Sequence, residues 1–473
     1  MVKSLRLPLI EELDTELSPL EAFECIKDGR FSFFLDSGMD PDKLGRYSFM
    51  GCDPFLVLST RGNEGILTQG RAKARITGNP FDMLQGLLGT YRLDSSPSPV
   101  PFIGGAVGYL SYDLCHFIEL LPATTSDDLK LPECYFGFYD LIIAFDNLEG
   151  KSYVISSGFP ELKETERLAR ARERIGETKN KLNGPPPQNK SFPFPSPACS
   201  VLKSNFTHEG YAATVAKARQ YIIDGEIIQV NLSQRFEADI SIPPWELYRR
   251  LRQINPAPFA AYLGFEGVSI VSASPERFIR RSGDNVETRP IKGTRPRGKT
   301  RTEDEALAAE LLSSAKDRAE NIMIVDLERN DLGRICRVGT VEVTELAALE
   351  TFPTVFHLTS TITGKLREDK NGIDLLKATF PGGSITGAPK IRAMEIIDEL
   401  EPTKRSVYTG SIGYLGFNGD LDLNIAIRTF IVKEGRAYFQ VGGGIVYDSE
   451  PEAEYQETLY KGQALIDALD IRL

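Results

Sequence analysis

A proline-rich stretch near the middle of the chain constrains the fold more than any other sequence feature. Residues 183–197 have the sequence NGPPPQNKSFPFPSP and contain six prolines. Proline has no backbone N–H and a nearly fixed φ, so neither a helix nor an interior strand continues through such a segment. We therefore predict an exposed linker that divides the 473-residue chain into an N-terminal region, 1–200, and a C-terminal region, 201–473.

Hydrophobic patterns on both sides of this linker predict an α+β fold. Strand patterns cover residues 31–35, 55–59, 139–145, 228–236 and 423–428. Helical patterns cover residues 161–182 and 207–224, and Gly225 is the predicted end of the second helix. Because helices and strands do not alternate regularly along the chain, mostly antiparallel sheets are favoured over a parallel βαβ sheet. In the strand 228–236, alternation places Gln229, Asn231 and Ser233 on one face.

Charge and composition argue against several classes of protein. The chain has 55 basic and 66 acidic residues, and its net charge of −11 argues against a nucleic-acid-binding surface. No apolar run reaches the length of about 18 residues that a membrane helix needs. The first 19 residues resemble neither a secretory signal nor a transit peptide. Six scattered cysteines and three histidines favour reduced thiols over disulfides or a multi-histidine metal site. We expect a cytoplasmic protein that binds neither nucleic acid nor membrane.

Two pairs of acidic residues have the spacing of neighbours on one helix face. Asp317 and Glu320 are three residues apart, and so are Glu454 and Glu457. If the two faces meet, four carboxylates form an oxygen-rich site with positions left for water and substrate, as Mg²⁺ prefers. On this pattern alone, two solvated helix faces are the more common explanation.

A basic segment, residues 289–298, contains Lys292 next to a glycine that lets a ligand approach the backbone. Placed away from water or near the arginines of the same segment, Lys292 could act as a nucleophile. A basic surface turn is the alternative.

Two glycine-rich segments are candidate anion sites. Residues 380–390, FPGGSITGAPK, lead into a helical pattern, and the N–H groups at the start of a helix favour an anion such as a carboxylate. The spacing is not that of a Walker phosphate loop. Residues 440–446 form a predicted strand that runs into three glycines, whose N–H groups could also bind a carboxylate. An ordinary glycine-rich connection and a β-bulge are the alternatives.

Taken together and in this order, these segments resemble the chorismate-utilising enzymes. That family includes anthranilate synthase component I, aminodeoxychorismate synthase component I, and the isochorismate and salicylate synthases. The matching motifs lie between residues 205 and 470 and include GEIIQVNLS (225–233), SPERF (274–278), PIKGTRPRG (290–298), KDRAENIMIVDLERNDLG (316–333), FPGGSITGAPK (380–390), GGG (442–444) and EYQETLYK (454–461). The resemblance implies an α+β fold of two facing, mostly antiparallel sheets with helices outside. It also implies that region 201–473 carries the chorismate-binding catalytic site.

Two positions distinguish branches of this family. Gln229 stands where isochorismate and salicylate synthases carry a lysine that activates water, so water is not the expected nucleophile. Lys292 lies in P-I-K-G-T, where anthranilate synthases typically have alanine. A lysine here is similar to the aminodeoxychorismate synthases, and implies that chorismate and ammonia become 4-amino-4-deoxychorismate for p-aminobenzoate and folate. Anthranilate synthase component I and a non-catalytic chorismate-binding subunit are the alternatives.

The resemblance also implies a role for individual residues. Lys292 would form a covalent intermediate with the substrate, and Glu276 would be the general acid. Thr294, His357 and Gln229 would lie at the reacting ring. Glu320 and Glu457 would hold Mg²⁺, with Asp317 and Glu454 close by. The implied substrate-binding residues are Thr386, Tyr408, Arg428, Gly442, Gly443, Gly444 and Lys461.

Two further implications concern ammonia and regulation. No cysteine lies in the G-x-C-x-G sequence of a class I glutamine amidotransferase, so the resemblance implies a separate amidotransferase subunit that supplies ammonia. The segments that form a tryptophan pocket in anthranilate synthases correspond here to segments that contain Leu35, Ser37, Pro258 and Phe259. Both segments depart from the usual pattern, and the sequence leaves tryptophan binding open.

Overall fold

The computed structural model describes residues 5–184, 201–352 and 355–471, so most of the predicted linker lies outside the described residues. The strands, in chain order, are β1 (Leu9–Leu13), β2 (Ser32–Asp36), β3 (Tyr47–Gly51), β4 (Leu56–Arg61), β5 (Glu64–Gln69), β6 (Ala72–Thr77), β7 (Gly105–Leu110), β8 (Cys134–Tyr139), β9 (Leu141–Asp146), β10 (Lys151–Ser156), β11 (Lys203–Ser204), β12 (Gln229–Asp239), β13 (Phe259–Phe265), β14 (Val268–Ser274), β15 (Arg277–Ser282), β16 (Asn285–Arg289), β17 (Ile291–Pro296), β18 (Glu342–Thr351), β19 (Val355–Lys365), β20 (Gly387–Ala388), β21 (Ser411–Gly416), β22 (Leu421–Asn424), β23 (Thr429–Lys433) and β24 (Arg436–Ile445).

The α-helices, in chain order, are α1 (Pro19–Glu24), α2 (Pro80–Thr90), α3 (Glu164–Leu182), α4 (His208–Ile223), α5 (Pro244–Ile254), α6 (Arg301–Ser313), α7 (Ala315–Gly333), α8 (Gly372–Thr379), α9 (Lys390–Leu400) and α10 (Pro451–Ala468). Two short 3-10 helices cover Tyr112–Phe117 and Gly383–Ile385. No helix in the described ranges is both long enough and apolar enough to cross a membrane.

The strands form two twelve-stranded sheets. The first sheet has the order β1-β10-β9-β3-β2-β13-β14-β23-β24-β12-β11, with β20 beside β12. The second has the order β17-β19-β16-β15-β22-β21-β7-β8-β4-β5-β6, with β18 beside β19. Every strand pair within them is antiparallel. The predicted α+β fold of antiparallel sheets is confirmed.

The two sheets face each other across an aromatic core, and helices cover their outer faces. The rings of Phe33 on β2 and Tyr139 on β8 have centroids 4.6 Å apart, and those of Phe49 on β3 and Tyr414 on β21 are 5.8 Å apart. A second cluster on the other face of the first sheet is shared with α1, α3, α5 and α10. Helices α4 and α9 pack on β12.

Both sheets combine strands from before and after residue 200. In the first sheet β13 pairs with β2, and in the second β21 pairs with β7. The predicted domain boundary at residue 200 therefore stays a prediction, because each region contributes strands to both sheets.

Two predicted elements, the helix 207–224 and the strand 423–428, help to position the site. Helix α4 begins after Thr207, whose hydroxyl accepts from the Gly210 N–H, and ends just before Gly225, whose φ is +78°. The predicted strand 423–428 is wrong beyond its start. β22 ends at Asn424 in the second sheet and β23 begins at Thr429 in the first, so the intervening residues carry the chain from one sheet to the other.

Candidate active site

A cluster of three carboxylates surrounds two glycines of β24. This carboxylate cluster consists of Glu320 on α7 and of Glu454 and Glu457 on α10. A Cβ atom on Gly443 would lie 3.1 Å from Oε2 of Glu454 and 3.3 Å from Oε1 of Glu457, and one on Gly444 would lie 3.0 Å from Oε1 of Glu320. The glycines thus leave the space that the carboxylates occupy, and the two helix faces predicted to be acidic meet here.

Lys292 projects from β17 into this cluster. Its Nζ lies 3.1 Å from Oε1 of Glu320, and only 11% of its side chain is exposed. The Gln229 amide donates to the same oxygen at 2.6 Å. Burial opposes ionisation of Glu320, but Lys292 and Gln229 outweigh it and hold the pKa of Glu320 below its usual value. Gly293, with φ +86°, lies where the pairing of β17 with β19 is irregular, and such irregularities redirect the neighbouring side chain.

The arginines of the same segment are directed elsewhere. Arg289 forms ion pairs with Glu345 and Glu350, Arg295 with Glu310 and Asp317, and Arg297 with Asp304. Lys292 therefore faces a carboxylate rather than the cations near it in sequence. Asp317, the fourth acid of the predicted metal site, is held by Arg295 at 3.1 Å.

A second lysine lies on the α10 side of the carboxylate cluster. Nζ of Lys461 is 2.6 Å from Oε1 of Glu457 and donates to the Gly442 carbonyl at 3.1 Å. The Ser449 hydroxyl donates to Glu454 at 2.6 Å. Burial raises the pKa of Glu454, and the charge of Glu457 adds to the shift. Gly442, Gly443 and Gly444 pair with Ser233, Leu232 and Asn231 of β12.

The donor atoms of the carboxylate cluster fit Mg²⁺ in their chemistry. Within the described ranges, no three acidic, histidine or cysteine side chains are grouped tightly enough to hold a metal ion as they stand. The donors are nevertheless all carboxylate oxygens, which Mg²⁺ prefers. The ammonium groups of Lys292 and Lys461 balance part of the negative charge.

Glu276 lies close to Lys292 in different surroundings. Its residue surface is only 4% exposed, and the Ile291 N–H donates to its Oε1 at 3.3 Å. Burial raises the pKa of Glu276, although the nearby charges of Lys292 and Arg428 favour the ionised form. A buried carboxyl with a raised pKa holds its proton more strongly than an exposed glutamate, which is the shift that a general acid needs.

His357 and Thr294 are neighbours on paired strands, β19 and β17. Nδ1 of His357 and the Thr294 hydroxyl are 2.9 Å apart, and Nε2 has no hydrogen-bond partner within the described part of the chain. Burial and the charge of Arg428 lower the pKa of His357 to about 3. This imidazole is therefore neutral at physiological pH. It can donate and accept hydrogen bonds, but it does not carry the proton of an imidazolium acid.

The three remaining substrate-binding candidates lie on connecting segments. Arg428, with φ +50°, lies where the chain crosses between the sheets, and desolvation lowers its pKa to about 10. The Thr386 hydroxyl is fully buried and donates to the Gly382 carbonyl at 3.0 Å. Burial raises the pKa of Tyr408, whose ring centroid is 5.7 Å from the Arg405 guanidinium carbon.

The structure thus forms two groups that Lys292 connects. The carboxylate cluster, Gln229, Lys461 and the three glycines form one group. Arg428 affects the pKa values of both Glu276 and His357, and Glu276 affects that of Arg428. These three residues form the other group. Thr294 belongs to the second group through His357.

Leu35, Ser37, Pro258 and Phe259 lie together where β2 meets β13. The Ser37 hydroxyl donates to the Tyr47 carbonyl at 2.6 Å and lies 3.4 Å from the Pro258 carbonyl. Leu35 pairs with Ala261. The guanidinium of Arg277 stacks 4.7 Å from the Phe259 ring centroid.

Sequence reasoning missed several buried charged residues. Asp36, next to Ser37 in the chain, accepts from the Tyr248 hydroxyl at 2.8 Å and pairs with Arg252. Glu401 and Arg405 form a buried ion pair, and Glu401 accepts from the Ser233 N–H and hydroxyl of β12 at 2.9 and 2.8 Å. Glu401 and Arg405 have the i, i+4 spacing of an ion pair on one helix face. Both follow the end of α9, however, where helical spacing carries no prediction.

The chain is similar to known proteins over nearly its full length. The family model described as chorismate binding enzyme matches residues 45–467. Anthranilate synthase component 1 of Acetivibrio thermocellus is 41% identical over 98% of this chain and 95% of that protein. Aminodeoxychorismate synthase component 1 of Bacillus subtilis is 40% identical over 96% of this chain and 94% of that protein. The crystal structure of anthranilate synthase component I from Streptococcus pneumoniae superposes with a TM-score of 0.78 at 36% identity, covering 88% of this chain and 91% of that one.

Proposed function

This chain belongs to the family of chorismate-binding enzymes, and we propose that it acts as an aminodeoxychorismate synthase component I. In this proposal it converts chorismate and ammonia to 4-amino-4-deoxychorismate. The observation that carries the proposal is the position of Lys292. Its side chain is largely buried, and its amine lies 3.1 Å from Glu320 of the carboxylate cluster and not on a surface turn.

Lys292 supplies the nucleophile in the first step. Its ammonium group, which pairs with Glu320, first releases one proton to solvent. The free amine then attacks C2 of chorismate, both ring double bonds shift, and the C4–oxygen bond breaks. Glu276 donates its proton to the departing oxygen, which leaves as water, and regains a proton from the nitrogen on C2. The buried position and raised pKa of Glu276 support this assignment.

Ammonia completes the reaction in a second step. It adds at C4 because C2 is occupied, both double bonds shift back, and the C2–nitrogen bond breaks. The incoming nitrogen passes one proton to the departing Lys292 nitrogen, which takes a second proton from solvent, so Lys292 returns to its ammonium form and Glu276 keeps its proton. Covalent catalysis by Lys292 thereby decides at which carbon the amino group arrives.

Other residues bind and orient the substrate in this proposal. Arg428, Tyr408, Lys461 and the loop of Thr386 hold the two carboxylates of chorismate. His357, neutral and paired with Thr294, directs its free Nε2 toward the ring. Gln229 holds Glu320 in place and offers no base to activate water.

Magnesium is the proposed cofactor. Glu320 and Glu457 hold the ion, with Asp317 and Glu454 close by, and the oxygen-only donor set supports this choice. When bound, Mg²⁺ offsets the negative charge of the substrate ring carboxylate.

Ammonia comes, in this proposal, from a separate glutamine amidotransferase subunit. Both curated relatives are named component 1, which supports a second component. The chain itself has no cysteine in the G-x-C-x-G sequence. The place in metabolism is then the synthesis of p-aminobenzoate and folate, in the cytoplasm.

Anthranilate synthesis is the second candidate, because the relative with that name is as similar as the aminodeoxychorismate synthase, 41% against 40% identity. Lys292 distinguishes the two reactions. Without a covalent bond at C2, ammonia attacks C2 and the product is anthranilate.

A product assay tests the proposal. The purified chain is incubated with chorismate, Mg²⁺ and excess ammonium at alkaline pH, and the products are separated by retention time and mass. We expect 4-amino-4-deoxychorismate from the wild type and a loss of about 10²-fold or more in Lys292→Ala. The matched control is Lys299→Ala, an exposed lysine of the same segment, which should keep the wild-type rate. Anthranilate as the product, or an undiminished rate in Lys292→Ala, would contradict the proposal.

A further inference from the structure

The loop between α8 and α9, residues 380–388, is fixed at its far end by backbone contacts. The Asn231 side chain donates to the Ser384 carbonyl, and the Asn231 N–H donates to the Thr386 carbonyl, both at 2.8 Å. Arg405 donates to the Ile385 carbonyl at 3.0 Å. β12 and the buried Arg405 thus determine where the second half of this loop lies.

The near end of the loop is fixed by two cations. Nζ of Lys390 donates to the carbonyls of Thr379 and Pro381 at 3.1 and 3.0 Å. Arg334 donates to the Ala378 carbonyl. Ala378 and Thr379 end α8, where the last carbonyls lack helical partners and cations are favourable. Lys390 also takes a carbonyl beyond the helix, so its contacts extend into the loop itself.

Both cations pair with one buried carboxylate, Asp331 of α7. Arg334 is 2.8 Å from its Oδ1, and Lys390 contacts its Oδ2. Asp331 is nearly inaccessible to solvent, with 6% of its side chain exposed. A buried carboxylate is stable only when it is paired, and removal of one partner from such a pair is costly.

The same helix also contacts the loop directly and carries the site. A Cβ atom on Gly383 would lie 2.7 Å from Cδ2 of Leu327, one turn before Asp331. Glu320 lies three turns before Asp331 on α7. The loop is therefore docked on the helix that contributes to the carboxylate cluster.

We propose that Asp331, Lys390 and Arg334 form a clamp that positions the loop 380–388 on α7 and thereby sets the affinity of the site for chorismate. The inference rests on the proposed function, in which this loop holds a substrate carboxylate. The three residues are positioning residues: Lys390 contacts the loop backbone at Pro381, Arg334 contacts the end of α8, and Asp331 holds both cations.

The test separates binding from chemistry. Asp331→Asn keeps the shape of the side chain and removes its charge. We expect KM for chorismate to rise at least about tenfold while kcat stays within about threefold, because the loop affects binding more than the reacting groups. Calorimetric titration with chorismate, without ammonium, should show the same loss of affinity. The control is Asp326→Asn, an exposed partner of Arg329 on the same helix, which should leave both constants unchanged.

Three further variants keep the proposal falsifiable if Asp331→Asn does not fold. Lys390→Met should weaken chorismate binding as much as Asp331→Asn, and Lys390→Arg should restore most of the affinity. Arg334→Gln, whose side chain is half-exposed, should cause a smaller loss. In the double variant Asp331→Asn/Lys390→Met, the losses should not add, because both changes remove one pair.

The outcomes distinguish the clamp from the proposed function. If the folded wild type binds chorismate and folded Asp331→Asn binds it equally well, the clamp proposal is wrong whichever product is formed. A fall in kcat with unchanged KM would also overturn it. If the wild type makes anthranilate but the affinities change as expected, the clamp stands and the proposed product is wrong.

Discussion

Two neighbouring glutamates of this site, Glu320 and Glu276, have pKa values that are shifted in opposite directions. In the carboxylate cluster, Glu320 contacts the ammonium of Lys292, and its pKa is held below the usual value. Glu276 is buried without a cation in contact, and its pKa is raised. The same residue type thus ionises more readily at one position than at the other, because the neighbours differ.

A further buried glutamate near Glu276, Glu328, also has a raised pKa. Glu328 of α7 is buried, and its Oε2 accepts from the Thr288 hydroxyl at 2.7 Å. Burial raises its pKa to about 8, and the nearby carboxyls of Glu276 and Asp331 contribute. The comparison shows that α7 carries an ionised carboxyl at Glu320 and a protonated one at Glu328, two turns apart.

The largest effect is expected from removing the proton of Glu276. Glu276→Gln keeps the size of the side chain but cannot act as an acid, so kcat should fall by about 10²–10⁴-fold. Chorismate affinity, measured by calorimetric titration, should change little. A variant that keeps its rate within about threefold would show that the proton comes from another group.

The second effect concerns the protonated carboxyl behind it, Glu328. Between the ordinary glutamate pKa of 4.5 and about 8, the folded protein keeps a proton that the unfolded chain has lost, so stability falls as pH rises through this window. Glu328→Gln removes this penalty and should stabilise the protein by up to about 5 kcal/mol near pH 8, because each pKa unit corresponds to about 1.4 kcal/mol.

Melting temperatures at several pH values measure this effect. The difference between Glu328→Gln and the wild type should grow from near zero at pH 4.5 to its maximum near pH 8. Asp326→Asn, on the exposed side of α7, is the matched control and should show no such trend. A pH-independent difference would mean that Glu328 is ionised in the folded protein.

The third effect tests the ionised side of the comparison. Glu320→Gln removes a proposed magnesium ligand, and Mg²⁺ affinity should fall by at least about tenfold in calorimetric titration. Glu452→Gln, an exposed acid at the start of α10, should leave this affinity unchanged. Equal Mg²⁺ affinity of Glu320→Gln and wild type would place the ion elsewhere.

The sequence predicted the parts of this site that depend on local spacing. The i, i+3 acids of α7 and α10 and the alternation of β12 are set within a few residues, so their faces could be predicted before any tertiary contact was known. The resemblance then named Lys292 and Glu276. The partners of each side chain could not be predicted, because Glu320 meets Gln229 across 91 positions of sequence.

Tertiary context also explains where prediction stopped. Asp331 and Lys390 are 59 positions apart, and nothing in either local pattern indicates the other. The alternation of residues 423–428 predicts one strand, yet the chain leaves one sheet and enters the other within it. A period-two pattern reports which residues are buried, and residues between two facing sheets are buried whether or not they form a strand.

The smallest expected effect concerns His357, a buried imidazole next to Thr294 that stays neutral. Its pKa of about 3, lowered by burial and by Arg428, keeps it neutral throughout the physiological range. His357→Asn should lower kcat by only about tenfold or less, through the lost contact with Thr294, and should leave the shape of the pH profile of kcat/KM unchanged between about pH 5.5 and 9. If the pH profile of the wild type shows a limb near pH 6–7 that this variant lacks, His357 is charged in the working enzyme. The contrast between Glu320 and the buried glutamates Glu276 and Glu328 must then include a titrating imidazole.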